Sequence, residues 1–312
     1  MTEEPTETAA APHEGPVEPP TANRGGRLRR LFTPYLSRTG MVLTLTLVTY
    51  LISSPRGTFP VARIAAVGAL LLVPWLVSDR RWRVGVLGVL FVLAAAGPLS
   101  SPLLDLDNHH YLKLYWLLAL LLTGMTSDPV AALRRTARWL IGLVFVFATV
   151  WKLLVPDFVD GSLLTYLLTT DGNMDRVLVA VGWHEADRTI ENRHEIVGLR
   201  HDPTVPLEPT ELDMPSRSVA VAPALAIATV LLEGAVAVAY LLPLRGRWER
   251  LQEISLFTFL VVTYGLLPVF GFGGLLAAMG LAASGLRDRP AILVHLAMWA
   301  TVGGLTIVAD LL

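Results

Sequence analysis

Two lysines stand out as the residues best suited to chemistry. Among the 25 Lys+Arg residues only Lys113 and Lys152 are lysine, and every other basic residue is arginine. Both lysines lie in apolar runs, Asn108-His109-His110-Tyr111-Leu112-Lys113 and Ala148-Thr149-Val150-Trp151-Lys152-Leu153. An ionisable side chain inside lipid is costly, so its presence points to function. Arginine keeps its proton almost always, whereas a buried lysine can release one and act as a base. The plainer alternative is that both stems snorkel towards the headgroups.

Two further ionisable residues interrupt apolar runs. Glu233 sits within Thr229-Val230-Leu231-Leu232-Glu233-Gly234. A carboxylate at that depth must be protonated or paired, either on a proton path or in a structural bond to a neighbouring helix. His295, within Leu293-Val294-His295-Leu296, reads as a packing histidine that bridges helices. The pairs His184-Glu185 and His201-Asp202 and the run Glu191-x-x-His194-Glu195 contain metal-ligand types. Their spacing matches no known cage, and a solvated loop without a metal is the expectation.

Composition sets the class. The chain has 312 residues, 53% hydrophobic and only 16% charged, with a formal net charge of -1. Soluble domains carry about 25% charged residues, so an all-α polytopic integral membrane helix bundle is expected. The charge balance gives no basic face for a nucleic acid. With no cysteine there is no disulfide framework and no thiolate nucleophile.

Residues 1–30 read as a disordered cytoplasmic tail, rich in Pro, Glu and Thr, ending in the basic juxtamembrane cluster Arg24, Arg27, Arg29 and Arg30. Residues 31–312 read as the transmembrane domain. A span needs about 20 mostly apolar residues, and about nine candidates lie near 39–55, 61–78, 83–100, 109–125, 137–155, 218–243, 251–270, 271–286 and 290–310. Arginines cluster after every even-numbered span: Arg80, Arg81 and Arg83; Arg134, Arg135 and Arg138; Arg245, Arg247 and Arg250; Arg287 and Arg289. The positive-inside rule then places the amino terminus in the cytoplasm, within a multi-pass protein of the cell membrane. Gly271, Gly273 and Gly274 are expected to form a tight turn between two short helices, with a re-entrant hairpin over 251–286 as the other reading.

An extracytoplasmic loop follows at about 156–217. Its apolar start, Leu163 to Leu168, is expected to form an interfacial helix packed on the membrane domain. In this topology the start of the fourth span and the end of the fifth meet at one depth, near the outer surface. His109, Lys113 and Trp116 share a face of the fourth helix, and Phe145, Ala148 and Lys152 share one of the fifth. A site between these faces would be apolar and edged by the aromatics Tyr111, Trp116 and Trp151, with Asn108 and His110 at its mouth. Such surroundings favour an uncharged amine, as does a second cation, which Lys113 or a protonated His109 would supply.

These two blocks resemble the vitamin K-dependent gamma-carboxylase family, whose bacterial members are called horizontally transferred transmembrane domain (HTTM) proteins. The matching positions are Asn108, His109, Tyr111 and Leu112, then Ala148, Lys152, Leu153 and Gly161. Thr149 and Phe158 stand where the family usually has glycine and tryptophan. The resemblance implies a lyase in which Lys152 is the base that deprotonates a membrane hydroquinone, menaquinol or similar, with His109 assisting. It further implies CO2 and O2 as co-substrates and a peptide or small molecule as substrate on the extracytoplasmic side, with membrane lipids as partners. It does not extend to the large lumenal domain of the animal carboxylases. Two other readings remain: a non-catalytic accessory protein for maturation of, or immunity to, a secreted peptide, and a proton or solute transporter built on Glu233 and His295.

Overall fold

The computed structural model describes residues 33, 37–53, 60–100, 108–170, 191, 192, 194, 216–244, 246–267, 269–284 and 289–311. The side chains of residues 38, 60, 97–100, 108, 109, 247, 266, 289 and 308–311 fall outside that description. The amino-terminal tail and most of the long loop beyond residue 170, with Glu195 and the pairs His184-Glu185 and His201-Asp202, also lie outside it.

The described residues are helical, with no strand among them. In chain order the helices are α1 (Arg38–Ser53), α2 (Pro60–Leu71), α3 (Val73–Ser78), α4 (Arg80–Ser100), α5 (Asn108–Gly124) and α6 (Pro129–Leu154). There follow α7 (Pro156–Val159), α8 (Ser162–Thr170), α9 (Ser216–Leu241), a 3-10 turn (Gly246–Glu249), α10 (Arg250–Leu266), α11 (Phe270–Ala283) and α12 (Arg289–Leu311). Three stretches are long and apolar enough to cross a membrane: Pro129–Leu154, Ser216–Leu241 and Pro290–Ile307. Thr39–Ser53, Val61–Leu71 and Phe270–Ala283 are apolar but shorter. Leucines, valines and tryptophans face outwards along these helices; Leu154 is 75% exposed and Phe147 69%. Apolar exposure on this scale is tolerated when the solvent is lipid, and it is the make-up of a helical membrane protein.

The centre of the bundle is α11. Of its residues only Phe272 escapes full burial, and α1, α5, α6, α10 and α12 surround it. Fourteen residues span about 21 Å of helix, short of the ~30 Å hydrocarbon core. Its glycines correct the expectation of a turn. Gly271, Gly273 and Gly274 lie within α11, and the chain breaks before it, around Leu267 and Val269. Their role is close approach. A Cβ on Gly273 would meet Tyr264 and Val302 at 2.8 Å, and one on Gly274 would meet the Thr49 hydroxyl at 2.9 Å. Farther along, a Cβ on Gly280 would sit 2.8 Å from both His295 and Leu256.

Two other boundaries differ from expectation. The second apolar run is not one helix, because Pro74 near the start of α3 has no N–H to continue α2. Arg134 and Arg135 do not precede the next long helix, expected from residue 137, but lie within its first turns. α6 starts at Pro129, where Asp128 accepts the Ala131 N–H at 3.1 Å.

Candidate functional site: an ion pair between α6 and α9

α6 and α9 run antiparallel in close register. A Cβ on Gly142 would meet the Leu241 side chain at 2.6 Å, and Gly234 faces the Thr149 methyl. Small residues at 142 and 234 let the two backbones approach, and that approach brings Lys152 opposite Glu233. The Lys152 Nζ donates to both carboxylate oxygens, each at 2.8 Å. The lysine side chain is 16% exposed and the glutamate 8%. Two short, charge-assisted bonds to one carboxylate describe an ammonium facing a carboxylate.

The pair has an aromatic floor. After Val155 the chain turns through α7, and the Phe158 ring lies under the Lys152 ammonium at 5.4 Å from its centroid, a cation–π distance. Gly161 makes this turn possible. Its φ is +85°, and a Cβ there would strike the backbone of Ala222 and Pro223, nearest at 2.6 Å. Asp160 then accepts the Ser162 N–H at 2.8 Å and the Ser162 hydroxyl at 2.7 Å. These two bonds, the backbone one foremost, hold the Asp160 carboxyl below the usual carboxylate range. α8 then folds back on α9, where Phe158, Leu164, Leu168, Ala222 and Ala226 form a second apolar cluster.

Two groups next to the pair bear on its chemistry. The Thr149 hydroxyl, one turn before Lys152, is buried without a hydrogen-bond partner. Tyr264 of α10 lies within electrostatic reach of Glu233 and meets Phe259 edge-on at 6.2 Å, which in turn meets Phe145 at 4.6 Å. These three rings form an aromatic chain between α6 and α10. The outer side is lipid-facing: Trp151, Leu153 and Leu231 are 54%, 57% and 67% exposed. Trp151 therefore points away from the pair and does not line it.

The site expected between α5 and α6 is divided. Lys113 does not stand beside Lys152. It is buried towards α1, with Nζ 3.4 Å from the Ser53 carbonyl oxygen and 5.9 Å from the Tyr50 ring centroid. Trp116, on the same face, donates its indole N–H to the Thr46 hydroxyl at 2.9 Å. Trp299 of α12 donates likewise to Thr49 at 2.8 Å. These contacts tie α1 to α5 and α12. Thus the group beside Lys152 is the carboxylate of Glu233 and not the Lys113 cation. Tyr111 and His110 are half-buried on α5. Asn108 and His109 open α5, and their side chains fall outside the description.

Sequence reasoning singled out both Lys152 and Glu233 but did not join them. The available signal was that a mid-span carboxylate needs a partner and that lysine was one of two candidates. It also missed Thr149 as a polar group within the site. Among the described residues there is no group of three His, Cys, Asp or Glu side chains placed to hold a metal ion. No family model, curated protein or solved structure matches the chain.

Proposed function

We propose that this chain is a multi-pass protein of the cell membrane, with about nine crossings and a cytoplasmic amino terminus. In this reading the Lys152–Glu233 pair is a proton-transfer centre for a lipid hydroquinone near the outer face, with Lys152 as the base that its resemblance to the vitamin K-dependent gamma-carboxylases implies. The carrying observation is the bidentate contact of Lys152 with Glu233. Lysine is one of the few side chains that can cycle between ammonium and amine, and here its proton has a resident acceptor 2.8 Å away.

The surrounding residues fit a quinol ring. Phe158 offers a planar face, Thr149 a hydroxyl without a partner, and the outward Trp151, Leu153 and Leu231 an apolar approach from lipid. A bound hydroquinone would supply an ionisable hydroxyl and two reducing electrons, with O2 and CO2 as co-substrates. Lys152 would give its proton to Glu233, and its neutral Nζ would then take the proton of the quinol hydroxyl. Phe158 would steady the ammonium so formed. His109, at the start of α5, would assist from the outer side.

The same geometry favours a second reading, that of a membrane accessory protein in which the pair is a fastening between α6 and α9. The substitution Lys152→Arg separates the two. Guanidinium keeps a bidentate bond to carboxylate but cannot serve as the base. Under the proton-transfer reading, Lys152→Arg folds normally and co-purifies with quinone, yet loses quinol-dependent incorporation of labelled CO2. Retention of every cellular function by that variant would refute the catalytic role. Absence of quinone from lipid extracts of both wild type and Lys152→Met would refute the cofactor.

A further inference from the structure

The opposite end of α6 carries a second feature, independent of the ion pair. A cleft of about 480 Å³ lies between the first turns of α6, the end of α9 and the turn that follows. Arg134, Arg135, Arg138 and Trp139 line it from α6, and Leu241 and Leu244 line it from the end of α9 and the turn that follows. Among the described residues, three guanidiniums and one carboxylate, Glu249, line the cleft, so its described lining is cationic.

The three arginines are not equivalent. Arg134 is engaged, 3.5 Å from Glu249 and 3.3 Å from the Ala283 carbonyl. Arg138 donates to the Leu242 carbonyl at 3.1 Å, closing the end of α9. Arg135 is exposed and makes no hydrogen bond or ion pair among the described residues. The engaged pair therefore build the wall, and Arg135 presents its donors to whatever enters. Guanidinium is suited to the fork of a phosphate.

We propose that this cleft binds the phosphate of an anionic glycerophospholipid, with an acyl chain laid over Trp139, Leu241 and Leu244. The shared chemistry is a phosphate ester, which a soluble compound could also bring. The apolar lining and the exposure of Trp139, 54%, favour the lipid, because a headgroup alone would leave that lining wet. The site needs the membrane environment but not any role for Lys152.

Native mass spectrometry of the full chain released from detergent tests the proposal, with phosphatidylglycerol, phosphatidylcholine and inorganic phosphate as probes. Phosphatidylglycerol is expected to be retained over phosphatidylcholine. Arg135→Ala should weaken it about fivefold, the share of one interfacial basic residue, and Arg135→Lys should restore most of the loss. An excess of inorganic phosphate should leave lipid binding unchanged. Equal retention of both lipids by the wild type overturns the proposal whatever the variants do. So does undiminished phosphatidylglycerol binding by a folded Arg135→Ala. Displacement by inorganic phosphate would assign the cleft to a soluble phosphate and overturn the lipid.

Discussion

Breaking the Lys152–Glu233 pair should cost more than breaking an ordinary interhelical hydrogen bond. At 2.8 Å and an effective dielectric near 20, the attraction is on the order of 6 kcal/mol. Desolvation of two ions takes back most of it. Lys152 has a route for partial escape, since it lies in the last turn of α6 with 16% of its side chain exposed and can reach towards the headgroups. A net coupling of about 2 kcal/mol is therefore expected, against about 0.6 for the average hydrogen bond between membrane helices. Glu233→Gln, Lys152→Met and the double variant form the cycle, read from reversible unfolding in mixed micelles. Each single change leaves a polar group without its partner, so the double variant should lose less than the sum of the two. Lys152→Arg should stay close to wild type in the same assay because it keeps two bonds. A coupling at or below 0.6 kcal/mol would show that the contact contributes no more than an average bond and would remove the pair as the organiser of the site.

Three other outcomes follow from local geometry. Gly161→Ala should destabilise by about 3 kcal/mol or more, combining a left-handed φ with a backbone clash at Pro223. Its unfolding midpoint should fall with it, and an unchanged midpoint would mean that the α7–α8 turn does not press on α9. Gly280→Val should cost about 1–3 kcal/mol by overpacking, with part of it recovered by His295→Ala, since the new side chain would meet that imidazole as well as Leu256. For Asp160 the sign is set by its depressed folded-state value. Its support of α8 is present above the ordinary carboxylate range and is lost as pH falls through the folded-state value. The stability difference between wild type and Asp160→Ala should thus shrink on acidification, and a difference constant with pH would contradict the capping contact.

What could be read along the chain was whatever depends on local sums. Apolar runs of sufficient length mark helices, so the expected segments at 251–270, 271–286 and 290–310 lie close to α10, α11 and α12. The rarity of lysine and the isolation of Glu233 were also visible, because a charge in an apolar run contrasts with its own neighbours. The packing of α8 against α9 agrees with the apolar start of the long loop. Pro74 shows where such reading stops short, since a continuous apolar run hides the break between α2 and α3.

The tertiary structure decided which charges meet. Lys152 and Glu233 are 81 positions apart, and hydropathy carries no information on how far each helix is turned about its axis. That rotation is set by contact. Gly142 against Leu241, Thr149 against Gly234 and Gly161 against Pro223 hold α6 and the turn after it on one line of α9, and Lys152 follows. Contacts of the same kind turn Lys113 away: the bonds from Trp116 to Thr46 and from Trp299 to Thr49 orient that part of the bundle around α1. Residue types told which groups could do chemistry, but close packing of small side chains chose the partner of each.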